Sequence, residues 1–332
     1  MSATDTYSCS IGTCPIPLAT VKYIPSLLGN AFYLSIFVLL FLLQIYQTYL
    51  FRTWSFSVAM LAGIIFEIVG YIGRVQLHFN PFSPDAFLTY FINIMIAPVF
   101  FTAAIYFIFS RVMVFYGTPH YRFSPKDTFI IFTTSDTISL VLQCAGGISS
   151  IVAGRKVDSN HGIHVMLAGL IFQAFSLLMF MGLAAEYGWQ IRRERRWRVN
   201  GTQNMGNTKK AARVRLVVIG LMVSTISILT RSSYRIVELW RGVGGTLANQ
   251  QVPFMIFEGG IIVLASITLT ILHPGIAFSP RWEEVGWGWG KAKEEGNGVM
   301  PVPPVNARST GNSKPPHIDI EGFEEVVFDR SI

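Results

Sequence analysis

Charged residues are scarce in this chain. Lys, Arg, Asp and Glu make up 14% of the 332 residues, whereas hydrophobic residues make up 51%. Soluble domains contain about 25% charged residues, so this balance argues against an ordinary soluble protein and favours a polytopic membrane protein. The formal net charge of +7 does not indicate nucleic-acid binding, because no separate soluble domain is evident to carry that function.

Cysteines and catalytic motifs are also few. The chain has three cysteines. Cys9 and Cys14 either form a small disulfide loop, if the N-terminus is extracellular, or remain free thiols, and Cys144 is expected to be an ordinary buried residue. Phosphate-loop, H-E-x-x-H and G-x-S-x-G motifs are lacking. We therefore expect a protein that is not an enzyme and that uses no cofactor.

Seven long apolar stretches lie between residues 27 and 273. A membrane-spanning helix needs about 20 mostly apolar residues. The sequence therefore predicts an all-α fold, a seven-transmembrane-helix bundle over residues 27–278. A polar segment without the features of a signal peptide (1–26) precedes the bundle, and a tail predicted to be disordered (279–332) follows it. The predicted spans are 27–49, 54–77, 87–115, 129–153, 163–189, 211–239 and 254–272.

The distribution of basic residues predicts the orientation. The loops after spans one, three and five are richer in Lys and Arg than the loops after spans two, four and six, and nine of the 26 basic residues lie within 192–215. The positive-inside rule then places the N-terminus outside the cell and the C-terminus in the cytoplasm. We expect the basic loop 192–215 to contact anionic lipids of the inner leaflet.

Ionisable and amide side chains recur inside the apolar stretches. A charge in lipid costs about 2.5–3.5 kcal/mol, so such residues usually face the bundle interior and mark function. The alternative is a set of structural ion pairs that hold helices together without binding a ligand. The candidate residues of an intramembrane polar site are Glu67, Arg74, Asp136, Gln143, Arg231, Arg235, Glu238 and Glu258.

Helical spacing indicates how the charges of spans two and six find partners. Glu67 and Arg74 are separated by about 10.5 Å along a helix axis, so each is expected to pair with another helix. Glu238 lies one turn after Arg235 and can pair with it. Arg231 lies deeper and needs a partner elsewhere, for which Glu67 and Glu258 are the candidates.

Polar residues of span four are more ambiguous. Asp136 could bind a cation, relay a proton or cap the start of its own helix. Gln143 could hydrogen-bond to Gln173 of span five across the bundle. Span three contains Pro98, which predicts a tilt or kink there.

Two further patterns lie near helix ends. Asp158, His161 and His164 are spaced by three residues before span five and could hold zinc, which is the only support for a hydrolase-type metal site. His273, Pro274 and Gly275 close span seven, where Pro and Gly are typical of a helix stop.

Several segments taken in order resemble the fungal lipid-translocating exporter family, the RTA-like seven-span proteins. The chain departs from that family at Gln250 and Gln251, where members often have an acidic residue, and at Glu258, where members often have Asp. The matching segments are 66–74, 97–106, 135–143 with Gly146 and Gly147, 168–170 with Gln173, 231–238 and 273–275.

The resemblance implies a plasma-membrane or endomembrane protein that exports or translocates sphingoid long-chain bases and related amphiphiles and confers resistance to toxic ones. The polar head would meet the interior charges while the tail stays in lipid. Arg74, Arg231 and Arg235 would bind phosphate or carboxylate. The acids that would bind an amine or carry a proton are Glu67, Asp136 and Glu258. The alternative is a seven-transmembrane receptor or sensor, although the chain lacks the D-R-Y and N-P-x-x-Y motifs of G-protein-coupled receptors.

Overall fold

The computed structural model describes residues 23–116, 124–152, 159–199, 208–240 and 250–275, and within these ranges every regular element is a helix. Seven helices are long and apolar enough to cross a membrane, which confirms the predicted all-α, seven-helix fold. The predicted tail 279–332, Asp158 and both N-terminal cysteines lie outside the described residues. The helices are α1 (Leu27–Phe51), α2 (Trp54–Phe79), α3 (Pro84–Tyr116), α4 (Pro125–Val152), α5 (Ser159–Val199), α6 (Thr208–Trp240) and α7 (Gln251–Ile271).

The basic segment 192–215 lies between spans five and six as predicted, but it is helical at both ends rather than an irregular loop. Helix α5 continues through Arg198 to Val199, and α6 already begins at Thr208. Arg and Lys are good helix formers, and no Gly or Pro interrupts the basic stretch before Gly201. At 1.5 Å per residue, the 41 residues of α5 measure about 62 Å, whereas the hydrocarbon core is about 30 Å thick. The helix therefore extends well beyond the membrane.

Consecutive helices pack side by side, α7 returns to α1, and α3 also contacts α6. Helix α3 is therefore central and is the most buried of the seven spans. Small residues allow its close contact with α2, because a Cβ atom on Gly73 would lie 2.8 Å from the backbone nitrogen of Tyr90. Glycines that permit such approach are typical of helix pairs in membranes.

Helix α7 is interrupted by a wide turn. Gln251–Phe254 and Ile261–Ile271 are α-helical, but Met255–Gly260 between them is π-helical. The hydroxyl of Tyr33 on α1 donates a 2.8 Å hydrogen bond to the carbonyl of Met255. Single π-turns are frequent at functional sites, and this one carries the buried Glu258.

The predicted stop after span seven is confirmed, since α7 ends at Ile271. His273 then folds back into the protein, where its Nδ1 accepts a 3.1 Å hydrogen bond from the backbone of Gly275. Its Nε2 therefore carries the proton, and this atom lies 3.3 Å from the hydroxyl of Thr53. Burial lowers the pKa of His273 to about 4, so the ring is neutral at neutral pH.

Candidate functional site

Four buried residues of α6 and α7 form ion pairs, and we call Arg231, Arg235, Glu238 and Glu258 the charge cluster. Arg231 Nη2 lies 2.7 Å from Glu258 Oε2, and Arg235 Nε lies 2.5 Å from Glu258 Oε1. Arg235 Nη1 also donates a 3.0 Å hydrogen bond to Glu238 Oε2. Of the two candidate partners of Arg231, the structure selects Glu258. Two guanidinium groups face two carboxylates, so the charge cluster neutralises itself.

Arg231 has a further partner on the central helix. Its Nη2 donates a 2.7 Å hydrogen bond to the carbonyl of Ile94 on α3. In an α-helix this carbonyl would accept from the backbone N–H four residues later, but that position is Pro98, which has no N–H. The side chain of Arg231 thus satisfies an acceptor that the proline leaves free. Helix α3 runs through Pro98 from Pro84 to Tyr116 without interruption.

Glu67 lies beside the charge cluster but is not part of its ion pairs. Its side chain is 1% exposed, and the charges that act on it most strongly are those of Arg231, Glu258 and Arg235. Among the described residues, no group makes a hydrogen bond with its Oε1. A buried carboxylate usually has a close hydrogen-bonded partner. Among the described residues, Glu67 is therefore the acid of this region that forms no ion pair.

Arg74 is surrounded by aromatic rings rather than by carboxylates. Its guanidinium carbon lies 3.8 Å from the ring centre of Phe254 and 5.1 Å from that of Tyr90. Its Nε and Nη2 donate 3.0 Å hydrogen bonds to Asn30 Oδ1 and to the hydroxyl of Tyr23. Cation–π contacts and neutral acceptors stabilise the charge without cancelling it. No salt bridge to Arg74 occurs among the described residues.

Asp136 forms a second polar group on the other side of the bundle. Its Oδ2 accepts hydrogen bonds of 2.7 Å from Thr102 and 2.9 Å from Tyr106, both on α3. It is 1% exposed and has no ion pair within the described part of the chain. Thr102 follows Ile94 by eight residues, about 12 Å along the axis of α3. Asp136 is therefore separate from the charge cluster.

Gln143 connects α4 to α5 instead of joining either acidic group. Its Nε2 donates a 2.9 Å hydrogen bond to Gln173 Oε1, which confirms the predicted pair. The same nitrogen lies 2.8 Å from the hydroxyl of Ser139, which donates a 2.7 Å hydrogen bond to the carbonyl of Gly169. This network stabilises the contact between the two helices and occupies the amide nitrogen of Gln143.

The structure thus divides the eight predicted residues. Glu67, Arg74 and the charge cluster converge on the interface of α2, α6 and α7, whereas Asp136 and Gln143 lie on α4. Sequence reasoning missed the neutral partners, because a Tyr or Phe in an apolar stretch carries no signal of its role. The neighbours missed in this way are Tyr23, Asn30, Tyr90 and Phe254 at Arg74, and Thr102 and Tyr106 at Asp136.

The predicted metal site has no support within the described ranges. His161 and His164 are exposed, and no three metal-binding side chains of the described residues come together. Asp158, the third member of the pattern, is not among the described residues. This interpretation therefore remains a prediction.

Known proteins match most of this chain. A family model described as RTA1 like protein matches residues 60–281. The chain is 30% identical over 286 residues to the sphingoid long-chain base transporter RSB1 of Saccharomyces cerevisiae, covering 78% of this chain and 74% of that protein. It is also similar to two other S. cerevisiae proteins.

Protein RTM1 is 26% identical over 230 residues, covering 66% of this chain and 67% of that protein. Protoporphyrin uptake protein 1 is 28% identical over 211 residues, covering 63% and 65% of the two chains. No solved structure gives a significant match.

Proposed function

Because this chain belongs to the RTA1-like family of multi-pass membrane proteins, we propose that it moves amphiphiles of the sphingoid long-chain base class across the bilayer. Its relative RSB1 is named a sphingoid long-chain base transporter. The head of such a base is an ammonium group with neighbouring hydroxyls. The head would enter the bundle interior while the hydrocarbon tail remains between the helices and the lipid.

The observation that carries this proposal is the carboxylate of Glu67, which forms no ion pair with any described residue. The charge cluster is already neutral, so an added ammonium ion gains little there. Glu67 is buried, and its Oε1 accepts no hydrogen bond from the described residues. An ammonium group would supply the missing charge-assisted hydrogen bonds. Binding at Glu67 requires no covalent step, in keeping with our expectation that the protein is not an enzyme.

A liposome assay with purified full-length protein tests the proposal. The measurement is the rate at which a fluorescent long-chain base crosses the bilayer, corrected for empty liposomes. We expect Glu67→Gln to lower the protein-dependent rate at least about tenfold, because a buried ammonium–carboxylate contact contributes several kcal/mol. Glu67→Gln removes the charge but no ion pair, so folding should be preserved.

The matched control is Glu186→Gln, the same substitution at an exposed position of α5, and it should leave the rate unchanged. Equal rates in the wild type and Glu67→Gln would contradict the role of Glu67. A wild-type protein that moves no long-chain base would contradict the proposed function itself. An agonist-dependent second-messenger response without lipid movement would instead support the receptor alternative.

A second substrate class is favoured by Arg74, which has no carboxylate partner among the described residues. An amphiphile with a carboxylate or phosphate would provide one, and a relative of this chain is named a protoporphyrin uptake protein. Direct transport of a fluorescent anionic amphiphile in the same liposomes distinguishes the two classes. If this amphiphile uses Arg74, its transport should be lost in Arg74→Gln and kept in Glu67→Gln.

The proposal also includes orientation and location. With the N-terminus outside and the C-terminus in the cytoplasm, α1 begins at the outer side, so Arg74 and the charge cluster lie toward the outer leaflet. The basic segment 192–215 would then meet anionic lipids at the cytoplasmic surface. We place the protein in the plasma membrane, and protease accessibility of an N-terminal tag on intact cells tests both points.

A further inference from the structure

Two buried polar side chains in the C-terminal halves of α1 and α7 have no hydrogen-bond partner among the described residues. Gln44 on α1 and Ser266 on α7 are both 0% exposed. Neither the amide nitrogen and oxygen of Gln44 nor the hydroxyl of Ser266 has a hydrogen-bond partner among the described residues. Each buried polar group left in this state costs about 1–3 kcal/mol, and nearly all such groups in folded proteins are satisfied. Gln44 therefore needs a hydrogen-bonding partner that the described residues do not supply.

The register of α1 and α7 brings these two side chains to one level. At one end, Tyr33 donates to the carbonyl of Met255, a separation of 222 residues. At the other end, Gln47 Nε2 donates to the carbonyl of Thr270, a separation of 223 residues. The two helices therefore run parallel with a nearly constant offset of 222 to 223 residues. Applying the offset of 222 to Gln44 gives Ser266.

Between this level and Glu67 lies an apolar layer. Helices α1 and α2 are antiparallel, and their contacts pair Asn30 with Arg74 and Tyr33 with Tyr71. The same register places Glu67 at the level of Phe37, seven residues from Gln44, which is about 10.5 Å along the axis. The residues that fill the intervening layer are buried and apolar: Leu40, Ile64 and Ile262.

We propose that Gln44 and Ser266 form a second head-group site, which binds the hydroxyl groups of the transported base. This inference rests on the proposed function. The known members of the site, Gln44, Ser266 and the free Oε1 of Gln47, carry no charge, so an ammonium ion would lack a counterion there. Hydroxyls both donate to and accept from a carboxamide, and they would satisfy both of its ends.

Two polar sites on either side of an apolar layer divide the passage of the head group into two shorter steps. The site at Gln44 recognises hydroxyls, and the site at Glu67 recognises the ammonium charge. A plain alkylamine of equal chain length would use only the second site. Gln44 is therefore a specificity-determining residue, which makes the protein prefer hydroxylated long-chain bases over simple amines.

The test compares two fluorescent probes of the same chain length, a long-chain amino-diol and an alkylamine, in liposomes that contain full-length protein. We expect the wild type to move the amino-diol faster. Gln44→Met keeps the size of the side chain and removes its polar atoms, and it should lower the amino-diol rate about tenfold, the loss expected for one unsatisfied buried group. The alkylamine rate should not change, and thermal stability should not fall.

Ser266→Ala is the second variant, and it should lower the same preference if Gln44→Met does not fold. Thr225→Val is the matched control, because this buried hydroxyl on α6 already donates to the carbonyl of Leu221 at 2.7 Å. It should leave the preference unchanged.

The result that overturns the inference is an unchanged preference in both Gln44→Met and Ser266→Ala, which would assign the two side chains to structural water. In that case Glu67→Gln would still lower both rates, and the proposed function would stand. If the wild type moves neither probe, the proposed function fails and this inference fails with it.

Discussion

The charge cluster and the Asp136 site hold buried carboxylates in opposite ways. Glu258 is shared by two guanidinium groups at 2.7 and 2.5 Å, whereas Asp136 accepts hydrogen bonds from two uncharged hydroxyls. Paired charges depend on one another, and removing one leaves its partner buried without compensation. Neutral donors impose no such condition. The comparison separates an acid held by ion pairs, Glu258, whose loss should destabilise the fold, from an acid held by neutral hydrogen bonds, Asp136, whose loss should matter less.

The largest effect is expected at Glu258. After Glu258→Gln, Glu238 is the one remaining carboxylate of the charge cluster for two buried guanidinium groups. We expect a loss of about 3–5 kcal/mol in the free energy of unfolding. Thermal unfolding in detergent and the yield of folded protein measure this loss.

Two variants sharpen that result. Glu238→Gln should cost much less, because Arg235 keeps its contact with Glu258. The double variant Glu258→Gln with Arg231→Gln should be more stable than Glu258→Gln alone, since it removes one of the uncompensated charges. If Glu258→Gln is as stable as the wild type, the ion pairs do not hold α6 and α7 together.

His273 provides a third case, an ionisable group kept neutral, and its effect depends on pH. Its pKa is lowered from 6.5 to about 4, so the folded state binds its proton less readily than the unfolded state. The contribution of His273 is fully present above pH 6.5, and up to about 3 kcal/mol is lost as the pH falls toward 4.

The measurement is the unfolding temperature between pH 7 and pH 4. His273→Gln should remove this part of the decline on acidification, whereas His161→Gln, at an exposed position, should keep it. Identical pH profiles for the wild type and His273→Gln would show that the ring is not held neutral.

The smallest effect on stability is expected at Asp136. In Asp136→Asn the remaining carbonyl oxygen can still accept from Thr102 and Tyr106, so the loss should be about 1 kcal/mol, the difference between charged and neutral acceptors. A loss as large as that of Glu258→Gln would break the comparison, because it would reveal a cation paired with Asp136. The same unfolding measurement decides between these outcomes.

The seven spans could be predicted because a run of about 20 apolar residues has few other uses. The pairing of Arg231 with Glu258 was predictable as one of two options, since a buried guanidinium needs a carboxylate. The π-turn of α7 was not, because a change of hydrogen-bond register leaves no pattern in side-chain polarity. The surroundings of Arg74 come from α1, α3 and α7 and depend on the packing itself.

One missed contact did leave a trace. A proline within a span removes the hydrogen bond of the carbonyl four residues earlier. Pro98 therefore indicated that the carbonyl of Ile94 needs another donor. The conformation of the basic segment 192–215 could not be predicted from its charges. The charges indicated a loop, but Arg and Lys also favour helix. A run of basic residues therefore does not by itself indicate an irregular backbone.

The guanidinium of Arg231 connects three membrane spans. It belongs to α6, it is bound to the acid of α7, and it reaches the unpaired backbone oxygen of α3. These three helices are therefore expected to move together as one rigid body, because separating them would break the buried contacts of Arg231 at a cost in free energy. If cargo passage requires the bundle to flex, the flexing should occur where α1, α4 and α5 border that body.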